Sequence, residues 1–207
     1  MAKMAATKIV VAAAALISAA GCASVSTPRY ALLSEEKGYE IREYGGYIVA
    51  ETTVPGPYRD AMYAGFRILF DYISGNNEAA QKVEMTAPVL EERPVAIAMT
   101  APVLQEQEAD SERHTVAFIA PEGYTLDTIP VPKDPRVRIR EVPAHKVAAL
   151  RFGGWADAEK VRHRSSELKK MLERDGRTVL SPFRSAQYNP PWTPPPFRRN
   201  EILVEIE

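Results

Sequence analysis

The feature that most limits the possible folds is an order of patterns that occurs twice along the chain. Each half has two segments that alternate apolar and polar residues, then a stretch with helical periodicity, then further strand-like segments. The predicted elements are strands at 39–43, 47–54, 83–90, 97–104 and 115–120 with a helix at 58–73, then strands at 137–142, 146–152, 178–188 and 201–206 with a helix at 157–174. No change in composition separates the halves. We therefore predict one internally duplicated α+β domain.

Two local signals suggest how the strands pair. Gly45-Gly46 separates the first two strands, which is typical of a hairpin. The segments at 137–142 and 146–152 form a similar pair. The sequence Met-Thr-Ala-Pro-Val-Leu occurs at 85–90 and again at 99–104. Because proline has no amide hydrogen for a strand ladder, we interpret these copies as neighbouring strands that bend or end at the proline.

The single cysteine, Cys22, excludes an intramolecular disulfide, a thiolate zinc site and a redox cysteine pair. Lys3 and Lys8 precede an apolar run at 9–20 that ends in Ala19-Ala20-Gly21-Cys22. This arrangement is typical of a bacterial lipoprotein signal. We predict a signal peptide at 1–21, a lipidated Cys22 with a polar tether at 22–38, and a single folded domain at 39–207. A plain signal peptide cut nearby, or a cytosolic protein with an Ala-rich start, is the alternative.

The residue that follows Cys22 bears on where such a lipoprotein would lie. Position 23 is Ala rather than Asp, which favours the outer membrane with the domain facing the periplasm. The expected contact with the membrane is through the lipid anchor only.

Charge and motif content exclude several functional classes. The 26 basic and 27 acidic residues give a net charge near zero, which argues against a non-specific nucleic-acid binder. The sequence has no GxSxG, phosphate-loop or HExxH motif. His114, His145 and His163 are scattered and form no recognisable metal site. We predict no catalytic residue.

The two predicted helices differ in the width of their apolar faces. The second helix has one narrow apolar stripe that includes Leu168 and Leu172, as expected of a surface helix on a sheet. In the first helix the apolar residues cover an arc of roughly 220°. One sheet cannot cover that arc, so the excess surface around Tyr63, Phe66 and Phe70 should face a groove, a loop or a partner. The Pro-rich segment at 189–197 is one loop that could cover it.

Several motifs together resemble the SOUL haem-binding protein family. They are Tyr39-Glu40-Ile41-Arg42-Glu43-Tyr44, the paired Met-Thr-Ala-Pro-Val segments, Phe152-Gly153-Gly154-Trp155, and Tyr188-Asn189-Pro190-Pro191 with Arg199-Asn200-Glu201. The resemblance covers about residues 38–207. It implies a twisted, barrel-like antiparallel or mixed sheet of two pseudo-repeats with one helix each. It also implies reversible, non-covalent binding of haem or a related tetrapyrrole in an apolar groove along the first helix, for transport, storage or buffering.

The resemblance also implies a set of contact residues. The expected haem contacts are Arg59, Met62, Tyr63, Phe66, Arg67, Leu69, Phe70 and Arg198. Some members have an axial histidine where this chain has Glu43, and the family's basic propionate partners correspond here to Tyr63, Asp71 and Thr193. Arg59, Arg67, Arg198 or Arg199 could replace those partners, since a guanidinium matches a carboxylate. Tyr63 could ligate ferric iron, and the metal ligand stays open.

Two other functions remain open at this point. Some relatives are linked to metal removal from tetrapyrroles, which would need an acid–base group such as Tyr63 or Glu43 near the ring centre. Similar duplicated folds also serve as small-molecule or partner-binding modules. We expect a binding protein rather than an enzyme, with haem or a porphyrin as its partner and no nucleic acid.

Overall fold

A computed structural model describes residues 27–79, 94–107, 112–190 and 192–207. The strands are β1 Tyr30–Glu35, β2 Glu40–Tyr44, β3 Tyr47–Pro55, β4 Asn77–Glu78, β5 Val103–Gln107, β6 Arg113–Ile119, β7 Val131–Pro132, β8 Arg138–Val142, β9 His145–Phe152, β10 Arg184–Gln187 and β11 Asn200–Ile206. The helices are α1 Tyr58–Ile73 and α2 Ala158–Arg174, with a short 3-10 turn at Pro195–Phe197. In these ranges, no helix combines the length and apolar composition needed to cross a bilayer.

Nine strands form one strongly curled sheet, a half-barrel, in the order β1-β2-β9-β11-β10-β5-β6-β3-β8. Every ladder in it is antiparallel, so the predicted α+β class is confirmed without a mixed sheet. Each half of the chain contributes three neighbouring strands, β5-β6-β3 and β9-β11-β10. Strands β1 and β2 of the first half and β8 of the second half join the strands of the other half. Strand β8 thus borders β3, and β2 borders β9. The duplicated order of elements along the chain thus corresponds to two three-stranded units in the sheet, each bordered by strands of the other half.

The exchange makes both predicted hairpins wrong. Strand β2 pairs with β1 and β9, whereas β3 pairs with β6 and β8. Strand β9 likewise pairs with β2 and β11, not with β8. The Gly45-Gly46 connection therefore links two strands that are not neighbours in the sheet rather than closing a two-residue turn. A local turn signal reports a change of direction and does not specify the partner strand.

Three strands differ from the prediction by more than two residues. Residues 30–35, which the sequence placed in the tether, form edge strand β1 paired with β2. Most β1 side chains are exposed, so the strand lacks the alternation that would have marked it. The strand expected at 97–104 begins only after Pro102, and the one at 178–188 only after Pro182, since proline cannot donate to a ladder. The strand predicted at 83–90, with the first Met-Thr-Ala-Pro-Val-Leu copy, lies outside the described residues.

Side-chain alternation along the strands divides the molecule into an outer and an inner layer. On the outer face, α1 packs over β3 and β6, and α2 packs over β9 and β11. Gly65 lets α1 approach the sheet closely, because a Cβ added there would lie 2.6 Å from Cγ2 of Val116. A third apolar cluster lines the inner face, around Val49, Leu104 and Ile119. The fold thus presents two surfaces for function, the outside of α1 and the inside of the half-barrel.

Candidate functional site

Helix α1 carries a partly exposed aromatic stripe along one flank, next to the side that packs on the sheet. We define this α1 stripe as Tyr63, Phe66 and Phe70, which follow one another at spacings of three and four residues. Tyr63 is 46% exposed and Phe70 47% exposed. Phe66 is partly buried: its ring stacks on Phe70 at 5.8 Å and meets Phe118 of the sheet edge-on at 5.3 Å. The predicted excess apolar surface is therefore real, and it is anchored to the core through Phe66.

The neighbouring side of α1, which packs on the sheet, determines where the stripe lies. Ala61, Gly65 and Leu69 form a buried line with Tyr72 and Ile73 against β3 and β6. The Tyr72 hydroxyl donates to the Pro130 carbonyl at 2.7 Å, and burial raises its pKa above the usual tyrosine value. The helix begins after Pro57 and ends at Ser74-Gly75, where Gly75 has a φ of 123°. Because these residues fix the side of α1 that packs on the sheet, they also fix the position of the α1 stripe on the exposed flank of the helix.

The structure corrects one predicted contact on α1 and keeps the others near the stripe. Leu69 is 0% exposed and lies in the core beneath the helix, so it cannot touch a surface ligand. The wide apolar arc alone could not show which side faces the sheet. Met62 is partly buried beside the stripe. Arg59 and Arg67 are exposed, and the Arg59 guanidinium lies 5.7 Å from the centre of the Tyr63 ring.

The remaining predicted contact, Arg198, lies in the C-terminal loop. Its guanidinium stacks on the Trp155 ring at 3.8 Å, and its Nε donates to the Thr193 carbonyl at 2.8 Å. The loop also contacts the β9–α2 connection, where the Gly154 amide donates to Pro195. These contacts place Arg198 and residues 193–197 over the second half of the domain. Tyr63 and Phe70 are about half exposed.

The two acid–base candidates also lie apart. Glu43 is exposed on β2, opposite Lys146 of β9, whereas Tyr63 projects from α1 on the β3–β6 side of the sheet. In the part of the chain that the structure describes, no group of three or more His, Cys, Asp or Glu could hold a metal ion. Glu43 and Tyr63 are therefore not brought together at one place, and α1 offers an apolar contact surface.

The inner face holds a buried ion network that the sequence did not predict. The Glu201 carboxylate is 0% exposed and accepts two hydrogen bonds from Arg42, at 2.7 and 3.0 Å. Arg199 donates to it at 2.8 and 3.1 Å, and the Tyr188 hydroxyl donates at 2.6 Å. Arg42 also donates to Glu40 at 2.7 Å. These residues fall within the motifs at 39–44, 188–191 and 199–201, and the exchange of β2 between halves brings them together.

Burial and hydrogen-bond donors shift the pKa of Glu201 in opposite directions. Burial alone raises the pKa of Glu201, but the donors Arg42, Tyr188 and Arg199 outweigh it and hold that pKa below the usual glutamate value. Burial raises the pKa of Tyr188, and the neighbouring Glu201 charge raises it further. At neutral pH the network is therefore an ionised carboxylate between two guanidiniums and a protonated tyrosine.

Comparisons with known proteins agree with this architecture. The SOUL heme-binding protein family model matches residues 25–205. Heme-binding protein 1 of Xenopus laevis is 30% identical over 168 residues, covering 79% of this chain and 81% of that protein. Heme-binding protein 2 of Homo sapiens is 29% identical over 155 residues, covering 74% of this chain and 71% of that protein.

Solved structures of distant sequence share the fold. The EcmrR C-terminal domain superposes with a TM-score of 0.53 at 14% identity, covering 82% of this chain and 98% of that domain. A hydrolase from Listeria innocua gives a TM-score of 0.52 at 11% identity, covering 84% of this chain and 94% of that protein. At such low identity these matches concern architecture alone. The family match spans nearly all of the half-barrel and both helices, and the chain therefore belongs to the SOUL haem-binding protein family.

Proposed function

We propose that this protein binds haem or a related tetrapyrrole reversibly and without a covalent bond, on the α1 stripe, in a transport, storage or buffering role. The observation that carries the proposal is a half-exposed aromatic surface on α1 in a chain of a haem-binding family. The curated relatives are named as binding proteins, which is consistent at family level with a binding role rather than an enzymatic one.

The α1 stripe fits the apolar face of a macrocycle. Tyr63 and Phe70 each leave nearly half of their surface exposed, which is about 100 Å² for an aromatic side chain. Covering that area contributes about 2.5 kcal/mol per ring at 25 cal/mol/Å². Phe66 anchors the stripe to Phe118, so a flat ligand would meet a surface that is already ordered.

Arg59 and Arg67 are the proposed partners of the haem propionates. Both are exposed on α1, and each guanidinium can form two parallel hydrogen bonds to a carboxylate. Tyr63 is the proposed iron ligand on this face, since a tyrosine oxygen holds ferric haem in some proteins. Bound haem would supply its iron chemistry, and the chain would supply the apolar surface and the charge that orients it.

A haemin titration tests the location of the site. In the unmodified protein we expect a Soret shift at micromolar haemin and quenching of tryptophan fluorescence. The double change Tyr63→Ser and Phe70→Ser should weaken binding by at least about tenfold, because it removes most of the exposed ring area. The matched control is Phe197→Ser, a 76% exposed aromatic in the C-terminal loop. A double variant that binds haemin as the unmodified protein does would place the site elsewhere.

A second comparison tests the propionate partners. Changing Arg59 and Arg67 to Gln should weaken haemin binding but leave the binding of protoporphyrin dimethyl ester unchanged, because the ester has no carboxylate to pair with. Equal losses for both ligands would mean that the two arginines act on the fold of α1 rather than on the propionates.

We also propose that Cys22 carries the lipid anchor and that the domain faces the periplasm from the outer membrane. Support comes from the basic start, the apolar run and the Ala-Gly-Cys end of residues 1–22, which lie outside the described residues. Because β1 begins at Tyr30, the tether is shorter than predicted, and eight residue steps reach at most about 29 Å. Labelled palmitate should enter the protein and be lost in Cys22→Ala. A Cys22→Ala variant that stays in the membrane fraction would contradict the anchor.

A further inference from the structure

The inner face of the half-barrel encloses a cavity of about 170 Å³ that the haem proposal does not use. Its walls come from strands of both halves of the domain, including β2, β5, β9 and β11. An apolar cavity of about 150 Å³ holds one benzene molecule, whereas pockets for drug-sized ligands begin near 300 Å³. The cavity therefore suits a single six-membered ring and is too small for a tetrapyrrole.

One side of the cavity is a preassembled aromatic wall, which we define as Tyr30, Tyr44, Tyr47 and His145. Tyr44 contacts all three other rings, with centroid distances of 5.3, 6.4 and 6.0 Å. Nδ1 of His145 lies 2.8 Å from the Pro143 carbonyl oxygen, which fixes the orientation of the imidazole. Because the rings are already held at these distances and angles, a flat ligand can stack or pack edge-on against them without any rearrangement of the wall.

Two guanidiniums at the cavity wall have nitrogen atoms that none of the described hydrogen bonds uses. Arg184 donates through Nε to Glu106 at 2.6 Å, and Arg199 donates through Nε and Nη2 to Glu201. The described hydrogen bonds leave Nη1 of Arg199 and both terminal nitrogens of Arg184 for a ligand. Glu106 and Glu201 hold these side chains from behind and are not part of the cavity lining. Pre-positioned guanidiniums of this kind recognise carboxylates.

The charge around the rings disfavours a cationic ligand. The Arg42 guanidinium lies 4.4 Å from the Tyr30 ring centre, and Arg199 lies 4.1 Å from that of Tyr188. Two of the tyrosine faces are thus already covered by protein cations. The cavity lining itself contains two guanidiniums, Arg184 and Arg199, and one carboxylate, Glu205, while the paired carboxylates Glu106 and Glu201 lie outside the lining.

From these observations we propose that the cavity is a second binding site, distinct from the α1 stripe, for a small aromatic carboxylate with one ring. The ring packs against the aromatic wall and the carboxylate pairs with Arg184 and Arg199. Glu205 lies on the same wall and repels the ligand's charge, so it limits affinity.

Calorimetric titration of the protein with benzoate, benzyl alcohol and benzylammonium tests the ligand class. Benzoate should bind more tightly than either of the others, with a Kd in the micromolar to millimolar range typical of so small a ligand. Arg184→Met should weaken benzoate binding by about 10- to 100-fold, the loss expected for hydrogen bonds to a charged group. Glu205→Gln should strengthen benzoate binding and weaken that of benzylammonium.

Arg140→Met is the matched control for Arg184→Met. Arg140 also pairs with a carboxylate on the inner face, Glu51 at 3.0 Å, but it does not line the cavity. Its loss should leave benzoate binding unchanged. Leu203→Trp, which fills the cavity, should abolish binding, and circular dichroism reports whether this variant folds.

Three results would overturn the proposal. They are no heat of binding with benzoate up to about 10 mM, benzylammonium binding at least as tight as benzoate, or Arg184→Met binding benzoate as well as Arg140→Met does.

Discussion

Replacing Glu201 with Gln should destabilise the protein strongly, because Glu201 is the anion at the centre of the buried ion network. Arg42 is 2% exposed and Glu201 0% exposed, so neither charge can turn to water when the other is removed. Breaking a buried ion pair by removing one partner typically costs about 3–5 kcal/mol. Glu40 still pairs with Arg42 in the variant, and the Gln amide keeps part of the hydrogen bonding. We therefore expect a loss of about 3 kcal/mol in the free energy of unfolding.

The assay is urea unfolding at neutral pH, followed by circular dichroism and tryptophan fluorescence. Glu51→Gln is the control, since it makes the same change in a more exposed pair with Arg140 on the same face of the sheet. The control should cost less than about 1 kcal/mol. If Glu201→Gln loses no more than the control, the reasoning that burial makes this pair indispensable is refuted.

The pH dependence gives an independent check on the same group. Burial acts to raise the pKa of Glu201, but its three donors hold it below the ordinary value of 4.5. A lowered folded-state pKa contributes stability that is fully present above pH 4.5 and is lost as the pH falls through the folded-state value. The gap in stability between the unmodified protein and Glu201→Gln should therefore narrow below pH 4.5. A gap that stays constant into strong acid would contradict an ionised Glu201.

Three further changes test other contacts. Gly65→Ala should lower the Tm, because overpacking against Val116 costs about 1–3 kcal/mol and exceeds the helix-propensity gain of about 1 kcal/mol; an unchanged or higher Tm would contradict the close approach. Asp157→Ala removes the side chain that accepts from the Lys160 amide at 2.8 Å at the start of α2 and should cost about 1 kcal/mol in urea unfolding. Arg174 holds the pKa of Asp175 at about 2, so Arg174→Gln should raise it in an NMR titration.

Local patterns predicted the helices far better than the strand partners. The bounds of α1 match the prediction because Pro57 and Gly75 stop the helix at both ends and its periodicity is strong. Strand pairing depends on which half of the sheet each strand joins. A short connection such as Gly45-Gly46 does not specify the partner strands on either side of it. The prediction of β1 failed for a related reason: an exposed edge strand lacks the alternation of a half-buried one.

The candidate site was likewise predictable only in part. An apolar arc too wide for one sheet correctly indicated the exposed Tyr63 and Phe70. The arc could not distinguish Leu69 from them, since only the packing of Gly65 on Val116 sets the rotation of α1 about its axis. The Arg42–Glu201 contact joins residues 159 positions apart, and nothing in either local sequence specifies it.

The alternation of side chains along β6 has a consequence for how such a domain can change over time. Val116 and Phe118 pack beneath α1, whereas Ala117 and Ile119 face the inside of the half-barrel. A substitution at one of these positions leaves the opposite surface intact, so the two surfaces are free to diverge separately. Inserting or deleting one residue within β6 would instead turn each set toward the wrong side. Descendants of this chain should therefore tolerate new side chains in the strand far more readily than a new strand length.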